Sequence, residues 1–280
     1  FFSADLAREL QKNPRLLDGQ EREITVLFSD IRGFSRMATK LGPTDTCRLV
    51  SDVMEALTMR VREFEGVVVD YAGDGIMAMW NAPTSQVDHA ARGSRAALAM
   101  LSDLPRLNAE WYPRLGGPLR LGIGLNTGAA LVGNTGSTLK FKYGALGEAV
   151  NLASRVEGAT KQLGIPLLIT GPTRAQLPET FATRRLCKAR LVGFEDRPVD
   201  LYELHAESPV PEWQGQCDTY HRGLALFEEA KFNEACRTLY PLLLGGQEQD
   251  VPSLNLVGRA IEHLKVTPTA FDGVVDLHTK

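Results

Sequence analysis

Short apolar runs rich in β-branched residues recur along the chain and predict strands. These runs lie at 23–29, 67–71, 76–80, 119–126, 130–134, 167–170 and 199–204. The tetrapeptide 72–75, Ala-Gly-Asp-Gly, separates the second run from the third and predicts a hairpin with an acidic residue at its tip. Thr127-Gly128 predicts the turn of a second hairpin between the fourth and fifth runs.

Segments with apolar residues at helical spacing alternate with these strands. The first begins at a cap on Thr44 or Asp45, has its apolar positions between 49 and 64, and ends at Gly66; two more cover about 88–104 and 148–163. The resulting order, β-α-β-β-α-β, predicts an α+β sandwich of the ferredoxin-like type, in which an antiparallel sheet carries helices on one face. We expect the strand over 199–204 to close this sheet.

The sequence pattern at the two ends of the chain differs from that of the middle. Residues 1–20 predict a short helix ended by Asn13-Pro14, followed by a polar lead-in to a domain over 21–206. The remainder, 207–280, is the tail; it begins with a Pro-interrupted linker and continues as two helices broken near Lys231. Their apolar spacing is typical of a tetratricopeptide helix pair, and an ordinary helical cap is the alternative. One pair cannot bury its own face, so we expect it to pack on the main domain or on a partner.

Composition narrows the class of protein but not its chemistry. The chain has 280 residues, 44% hydrophobic and 23% charged, which is typical of a globular domain and excludes wholesale disorder. A net charge of −3 gives no field that attracts nucleic acid. No stretch reaches the roughly 20 apolar residues of a membrane span. Four scattered cysteines favour a reducing, cytoplasmic location. The chain begins with Phe1, so we expect a longer protein whose upstream segments include a sensor or a membrane anchor.

Two aspartates occupy positions that suit metal binding. Asp30 directly follows the first strand, and Asp74 lies at the hairpin tip between Gly73 and Gly75. Carboxylates at such positions can hold Mg²⁺, which takes one or two protein carboxylates together with substrate phosphates. Backbone N–H groups around Gly33 could cradle a triphosphate. The simpler interpretation of each aspartate alone is a helix cap or a turn residue.

A third candidate lies on the predicted helix over 148–163. Asn151 and Arg155 are four residues apart and therefore share one helical face. Such a pair can orient a ribose and neutralise a phosphate, a role that suits the planar guanidinium of arginine. A solvated helix face is the alternative interpretation of the same spacing.

Together these motifs resemble the catalytic domain of class III nucleotidyl (adenylate and guanylate) cyclases. The resemblance covers about 21–206 and rests on five segments in the family order: FSDIRGFS (28–35), DYAGDGIMAMW (70–80), GIGLNTGAALVGN (122–134), GEAVNLASRVE (147–157) and PVDLYEL (198–204). It implies conversion of a nucleoside triphosphate to its 3′,5′-cyclic monophosphate and pyrophosphate, in a signalling output domain. It also implies a head-to-tail homodimer whose active sites are shared between the two chains.

The resemblance also implies roles for individual residues. Asp30, Asp74 and the Ile31 carbonyl match the ligands of two divalent cations, Mg²⁺ or Mn²⁺. Asn151 matches the residue that orients the ribose, and Arg155 the residue that stabilises the transition state, both donated by the other subunit. The triphosphate is expected to bind at a turn made by three consecutive residues, Gly33, Phe34 and Ser35.

Three positions depart from the family pattern. Base-binding positions carry Asp70, where adenylyl cyclases usually have lysine, and Gly144, where they have Asp or Thr. The usual triphosphate lysine aligns near Val192, so Arg190, or else Lys188 or Arg197, would have to substitute. An acceptor in place of a lysine donor inverts the hydrogen-bonding preference of the base pocket. ATP is the favoured substrate; GTP, a pyrimidine nucleotide, or a non-catalytic nucleotide-sensing dimerisation module are the alternatives.

Overall fold

The computed structural model describes Arg8 and residues 11–137, 139–208, 211–244, 250–266 and 270–277. Within these residues the strands are β1 (Gln20–Ile31), β2 (Val67–Ala72), β3 (Gly75–Trp80), β4 (Leu121–Asn134), β5 (Tyr143–Leu146), β6 (Leu167–Thr170), β7 (Ala182–Leu191), β8 (Val199–Ala206) and β9 (Val274–Leu277). The helices are α1 (Phe34–Leu41), α2 (Pro43–Glu63), α3 (His89–Ser102), α4 (Leu104–Leu115), α5 (Glu148–Leu163), α6 (Gly171–Ala175), α7 (Pro211–Glu228), α8 (Phe232–Leu244) and α9 (Val251–Lys265).

The described strands form one sheet in the order β2-β3-β1-β4-β6-β8-β7-β9, with β5 paired to β4 beside this row. Neighbouring strands are antiparallel, except that β6 runs parallel to β4 and β9 runs parallel to β7. The central strand β1 pairs Ser29 with Ile76 of β3 and Asp30 with Gly122 of β4. The carboxyl end of β1 therefore lies against the turn that joins β2 to β3.

Helices cover both faces of the sheet. On one face Leu27 and Trp80 pack with Trp111 in a core closed by α2, α3 and α4. On the other face Val26 packs against Val150 of α5. The predicted α+β class is confirmed, but the placement of all helices on one face is wrong. The reason is that successive side chains of a strand point to opposite faces, and in β1 both sets are apolar and need cover.

The described part of the tail packs against the sheet. Tyr220, Phe227 and Leu256 from α7 and α9 share a buried core with Leu168 and Leu201 of the sheet. The tail also contributes β9, which pairs with the outer edge of β7. The prediction that the helix pair packs on the main domain is therefore confirmed, whereas α9 and β9 were not predicted.

A buried arginine joins the tail to the sheet. The Arg184 side chain is 1% exposed, and its Nη2 lies 2.6 Å from Glu203 Oε2 and 2.9 Å from Asp250 Oδ1. A buried charge is tolerated only when its partners are present, so the two carboxylates hold this end of α9 to β7 and β8. Core and ion cluster both run across residue 207, and the division of the chain at that point stays a prediction.

The predicted hairpin at Thr127-Gly128 is wrong, because β4 continues through both residues. Thr127 pairs with Thr25 and Gly128 with Ile24 along the whole length of β1. The Thr127 and Thr25 hydroxyls are 2.8 Å apart. Pairing with a long neighbouring strand overrides the local turn preference of a Thr-Gly step. Gly128 instead makes room for α5, since a Cβ there would lie 3.1 Å from the Cβ of Ala149.

Other differences concern the edges of the fold. β8, which contains the predicted strand over 199–204, lies inside the sheet with β7 and β9 beyond it. The helices α1 and α4 were not predicted, because residues that usually end helices lie beside or within them. Gly33 and Gly42 flank α1, and Pro113 lies inside α4. The predicted helix before Asn13 falls mostly on 1–7 and 9–10, outside the described residues. None of the described helices has the length and apolarity needed to cross a membrane.

Candidate active site

Asp30 and Asp74 meet at the carboxyl end of β1. Asp74 lies in the β2–β3 turn, where Gly73 adopts the left-handed conformation with φ +66°. Gly75 then passes so close to β1 that a Cβ there would lie 2.4 Å from the Ser29 carbonyl oxygen and 3.5 Å from Asp30 Oδ1. Only glycine permits this approach. It brings the carboxyl groups of Asp30 and Asp74 within hydrogen-bonding reach of each other.

The electrostatics of this pair suit a cation. The pKa of Asp74 is raised to about 6, first by burial and then by the hydrogen bond and negative charge of Asp30. Backbone N–H groups of Asp74 and Ile31 act in the opposite direction. Two adjacent carboxylates in a partly buried position repel each other, and a bound divalent cation would remove that repulsion. The donor set therefore fits the predicted metal site of Asp30, Asp74 and the Ile31 carbonyl.

The chain turns sharply just after Ile31 and starts a helix. Gly33 is left-handed with φ +71°, and no side chain caps the first turn of α1, which begins at Phe34. The Gly33 carbonyl accepts the N–H groups of Arg36 and Met37 at 3.1 and 3.2 Å. The N-terminal N–H groups of such a helix carry a partial positive charge and suit phosphate oxygens. Gly33, Phe34 and Ser35 thus form the uncapped start of α1, a few residues after Asp30.

A partly buried acid of α5 approaches the same edge, and no sequence pattern singled it out. Glu157 Oε1 lies 3.1 Å from Arg32 Nη1. The pKa of Glu157 is raised to about 7, because burial and the charges of Asp30 and Asp74 outweigh the pairing with Arg32. Gly122 makes room for this pair, since a Cβ there would lie 1.7 Å from Arg32 Nη2. Arg32 and Glu157 both lie inside conspicuous motifs, but nothing in the sequence indicated that they pair.

Asn151 and Arg155 lie on α5, as predicted. Arg155 lines a cavity of about 150 Å³ together with Glu157, Val192 and Leu277, and neither Asp30 nor Asp74 lines it. Arg155 is two residues before Glu157, so the two side chains leave the helix about 200° apart. Glu157 lies close enough to Asp30 and Asp74 for their charges to raise its pKa. The aspartate pair therefore adjoins the part of α5 that carries Glu157, and neither aspartate lines the cavity beside Arg155.

This geometry was compared with known proteins. Residues 18–205 match the family model described as the adenylate and guanylate cyclase catalytic domain. The chain belongs to this family. Over 183 residues it is 31% identical to adenylate cyclase 1 of Rhizobium meliloti (strain 1021), an alignment that covers 65% of this chain and 27% of that protein. The chain spans 27% of the length of that protein and 37% of the length of a second relative, the adenylate cyclase of Anabaena cylindrica.

Solved cyclase structures share the fold. The adenylyl cyclase CyaB from P. aeruginosa matches with a TM-score of 0.61 at 28% identity, over 67% of this chain and 96% of that one. The guanylyl cyclase Cya2 matches with the same TM-score of 0.61 at 31% identity, over 69% of this chain and 96% of that one. The predicted cyclase family and fold are confirmed. Since both an adenylyl and a guanylyl cyclase fit equally well, the fold does not decide the base.

One departure from the cyclase pattern concerns the triphosphate. Arg190, the predicted substitute for the family lysine, lies on β7 and is ion-paired with Asp272 and Asp276 of the tail, the latter at 3.4 Å. Val192, near which the family lysine was expected to align, directly follows the end of β7 and carries an apolar side chain. Arg190 is therefore on the predicted strand, but acidic tail residues already hold its guanidinium.

The second departure concerns the base-binding positions. Asp70 lies on β2 and Gly144 on the adjoining β5. Asp70 does not stand alone as an acceptor, because Lys142 Nζ forms an ion pair with its Oδ2. Lys142 was not singled out by the sequence analysis, since the two residues are 72 positions apart and no local pattern links them. The region was expected to offer only a hydrogen-bond acceptor, but it offers both an acceptor, Asp70, and a donor, Lys142.

Proposed function

We propose that this chain is a nucleotidyl cyclase domain that converts ATP to 3′,5′-cyclic AMP and pyrophosphate. The observation that carries the proposal is the pair of Asp30 and Asp74 beside the uncapped start of α1, within the cyclase fold. ATP is favoured because the relatives from Rhizobium meliloti and Anabaena cylindrica are named adenylate cyclases.

In this reaction the ribose 3′-oxygen forms a bond to the α-phosphorus. The bond from the α-phosphorus to the oxygen of the leaving pyrophosphate breaks, and the hydroxyl proton is released. Asp30, Asp74 and the Ile31 carbonyl would hold the divalent cations, Mg²⁺ or Mn²⁺, two in number by family resemblance. When bound, these cations would neutralise phosphate charge and lower the pKa of the 3′-hydroxyl. The protein supplies few ligands, so substrate phosphates and water would complete the coordination.

The remaining residues position the substrate and stabilise charge. Backbone N–H groups from Gly33 to Ser35 would bind the β- and γ-phosphates at the start of α1. Asn151 would orient the ribose so that its 3′-oxygen lies in line with the leaving group. Arg155 would stabilise the negative charge that builds on the α-phosphoryl oxygens in the transition state. Arg190 is the candidate for an additional triphosphate contact.

We infer that each active site is shared by two chains arranged head to tail. The support is that Glu157 of α5 adjoins the aspartates of its own chain, whereas Arg155, about 200° round the helix, lines a cavity that contains neither aspartate. A second copy related by a two-fold axis would bring its Asn151 and Arg155 to the open side of the first copy's metal site, and the reverse. One homodimer would then contain two equivalent active sites.

A nucleotide panel tests the proposed activity. The purified protein is incubated with Mn²⁺ or Mg²⁺ and with ATP, GTP, CTP or UTP, and products are identified by chromatography and mass spectrometry. We expect cyclic AMP and pyrophosphate from ATP, with activity abolished in Asp74→Asn and retained in Asp218→Asn, a matched charge change on the exposed side of α7. Nucleotide binding without any cyclic product would contradict the enzyme and favour a nucleotide-sensing module.

A guanylate cyclase is the second candidate function. The observation that favours it is the acidic Asp70 at a base-binding position, together with the match to the guanylyl cyclase Cya2. Cyclic GMP as the main product of the same panel would identify this activity.

The cellular setting completes the proposal. All four cysteines, Cys47, Cys187, Cys217 and Cys236, are unpaired thiols, which is consistent with the predicted cytoplasmic location. We propose that the domain reports the state of a sensor elsewhere in the full-length protein. Fractionation of cells that produce the full-length protein, with the domain detected by antibody, tests the location.

A further inference from the structure

The ion pair between Asp70 and Lys142 is the feature of the base region that the family resemblance does not account for. Asp70 belongs to β2, and Lys142 immediately precedes β5. The Lys142 side chain is 39% exposed and that of Asp70 50% exposed, so both are open to a ligand. An exposed pair of this kind contributes about 0–1 kcal/mol, and a ligand can therefore separate the two groups at little cost.

The backbone of Lys142 is firmly held. Its carbonyl accepts hydrogen bonds from the Thr135 N–H at 2.7 Å and the Thr135 hydroxyl at 3.1 Å. Its own N–H donates to Asn134 Oδ1 at 3.1 Å. These backbone hydrogen bonds hold Lys142 on the β4–β5 hairpin, with its ammonium group beside Asp70.

Gly144 leaves the position of the family's second base-contacting residue without a side chain. A Cβ at Gly144 would lie 2.9 Å from Thr135 Oγ1 and 3.0 Å from Val69 Cγ1, so a larger residue there would force its neighbours to move. Lys142 is two residues before Gly144 and so projects from the same face of the strand. Along this stretch of chain, Lys142 is therefore the polar residue closest to Gly144 whose side chain can reach the space beside it.

We propose that Lys142 is a base-binding residue that acts together with Asp70. The Watson–Crick edge of adenine presents the N1 acceptor next to the N6 amino donor. The Asp70 carboxylate accepts a hydrogen bond from N6, and the Lys142 ammonium donates one to N1. The base pocket thus keeps one donor and one acceptor, as in the family, but the acceptor lies at the position of the family lysine and the donor lies directly before the strand that carries Gly144. This inference rests on the proposed cyclase function and specifies its base.

The test compares Lys142→Met with Lys140→Met, which makes the same change on the same exposed loop. The substrates are ATP and 1-deaza-ATP, in which a C–H group replaces N1. A hydrogen bond from a charged donor corresponds to about a 10- to 100-fold effect, so we expect Lys142→Met to lower kcat/KM for ATP by that factor. On 1-deaza-ATP, wild type and Lys142→Met should be equal, because the contact is already absent.

Asp70→Asn gives the complementary result. It should lower kcat/KM for ATP and leave unchanged the value for the purine ribonucleoside triphosphate that lacks the N6 amino group. Unfolding midpoints of all variants should match the wild type, since both side chains are exposed. Equal effects of Lys142→Met and Lys140→Met on ATP would overturn the inference. So would a wild-type enzyme that forms cyclic GMP but no cyclic AMP, although the broader cyclase function would stand.

A binding measurement separates this inference from the proposed activity. Titration calorimetry with ATP and 1-deaza-ATP in the presence of Ca²⁺, with product formation checked in the same sample, gives affinities without the need for turnover. Weaker ATP binding by Lys142→Met, but not weaker 1-deaza-ATP binding, would support the base contact even if no cyclic product forms. Unchanged ATP affinity in Lys142→Met would refute it.

Discussion

Replacement of Gly75 by alanine should disturb the metal site more than the fold. The new Cβ would lie 2.4 Å from the Ser29 carbonyl oxygen, a backbone atom that no rotamer change can move. Non-bonded heavy atoms prefer about 3.5 Å, so the β2–β3 turn must retreat from β1 by roughly 1 Å. Overpacking of this kind costs about 1–3 kcal/mol of unfolding free energy. The same shift carries Asp74 away from Asp30, and a 1 Å misplacement at a reacting centre can cost about 10²-fold in rate.

Two measurements on the same preparation check this prediction. Urea unfolding gives the free-energy change, and the rate of cyclic nucleotide formation at saturating Mg²⁺ gives the activity. The matched control is Gly215→Ala in α7, where a Cβ has no neighbour within 4 Å. That change should leave activity intact and raise stability by up to about 1 kcal/mol, because alanine favours helix. A Gly75→Ala protein with wild-type midpoint and wild-type rate would refute the packing argument.

Three further predictions follow from buried or paired charges. Folding raises the pKa of Glu157 from 4.5 to about 7, so the free energy of unfolding should fall by roughly 2–3 kcal/mol as pH rises across that range. Urea unfolding at a series of pH values measures this slope, and Glu157→Gln should flatten it. Arg184→Met leaves the buried Glu203 and the partly buried Asp250 without their partner and should cost about 3–5 kcal/mol; an unchanged unfolding midpoint would contradict it. Removal of the negative charges in the double variant Asp272→Asn, Asp276→Asn releases Arg190 and should lower KM for ATP, whereas an unchanged KM would count against Arg190 as a triphosphate ligand.

Local signals in the sequence were sufficient for the elements that hold the candidate site. Helix α5 occupies 148–163, the predicted range, and glycines bound it: Gly147 precedes it, and Gly164 ends it in the left-handed conformation with φ +70°. The hairpin around Asp74 was predicted for a similar reason, since its glycines permit the turn and the close approach to β1. In each case the residue that determines the structure lies within a few positions of the element.

Features that depend on distant partners could not be predicted in this way. Thr127-Gly128 has the local composition of a turn, but pairing with Thr25 and its neighbours keeps β4 continuous. The parallel pairing of β9 with β7 and the contact of Lys142 with Asp70 join segments far apart in the chain. Hydrophobic periodicity shows that a face must be buried, and does not show which segment will cover it.

The central claim is that each active site combines the aspartates of one chain with the asparagine and arginine of another, and mixing two inactive variants tests it most directly. Asp30→Ala and Arg155→Ala should each form no cyclic product alone. After equimolar subunit exchange, half of the dimers are mixed and each contains one intact site, so activity should return to about a quarter of the wild-type rate. Continued inactivity of a mixed dimer, isolated through two different affinity tags, would contradict the shared-site account.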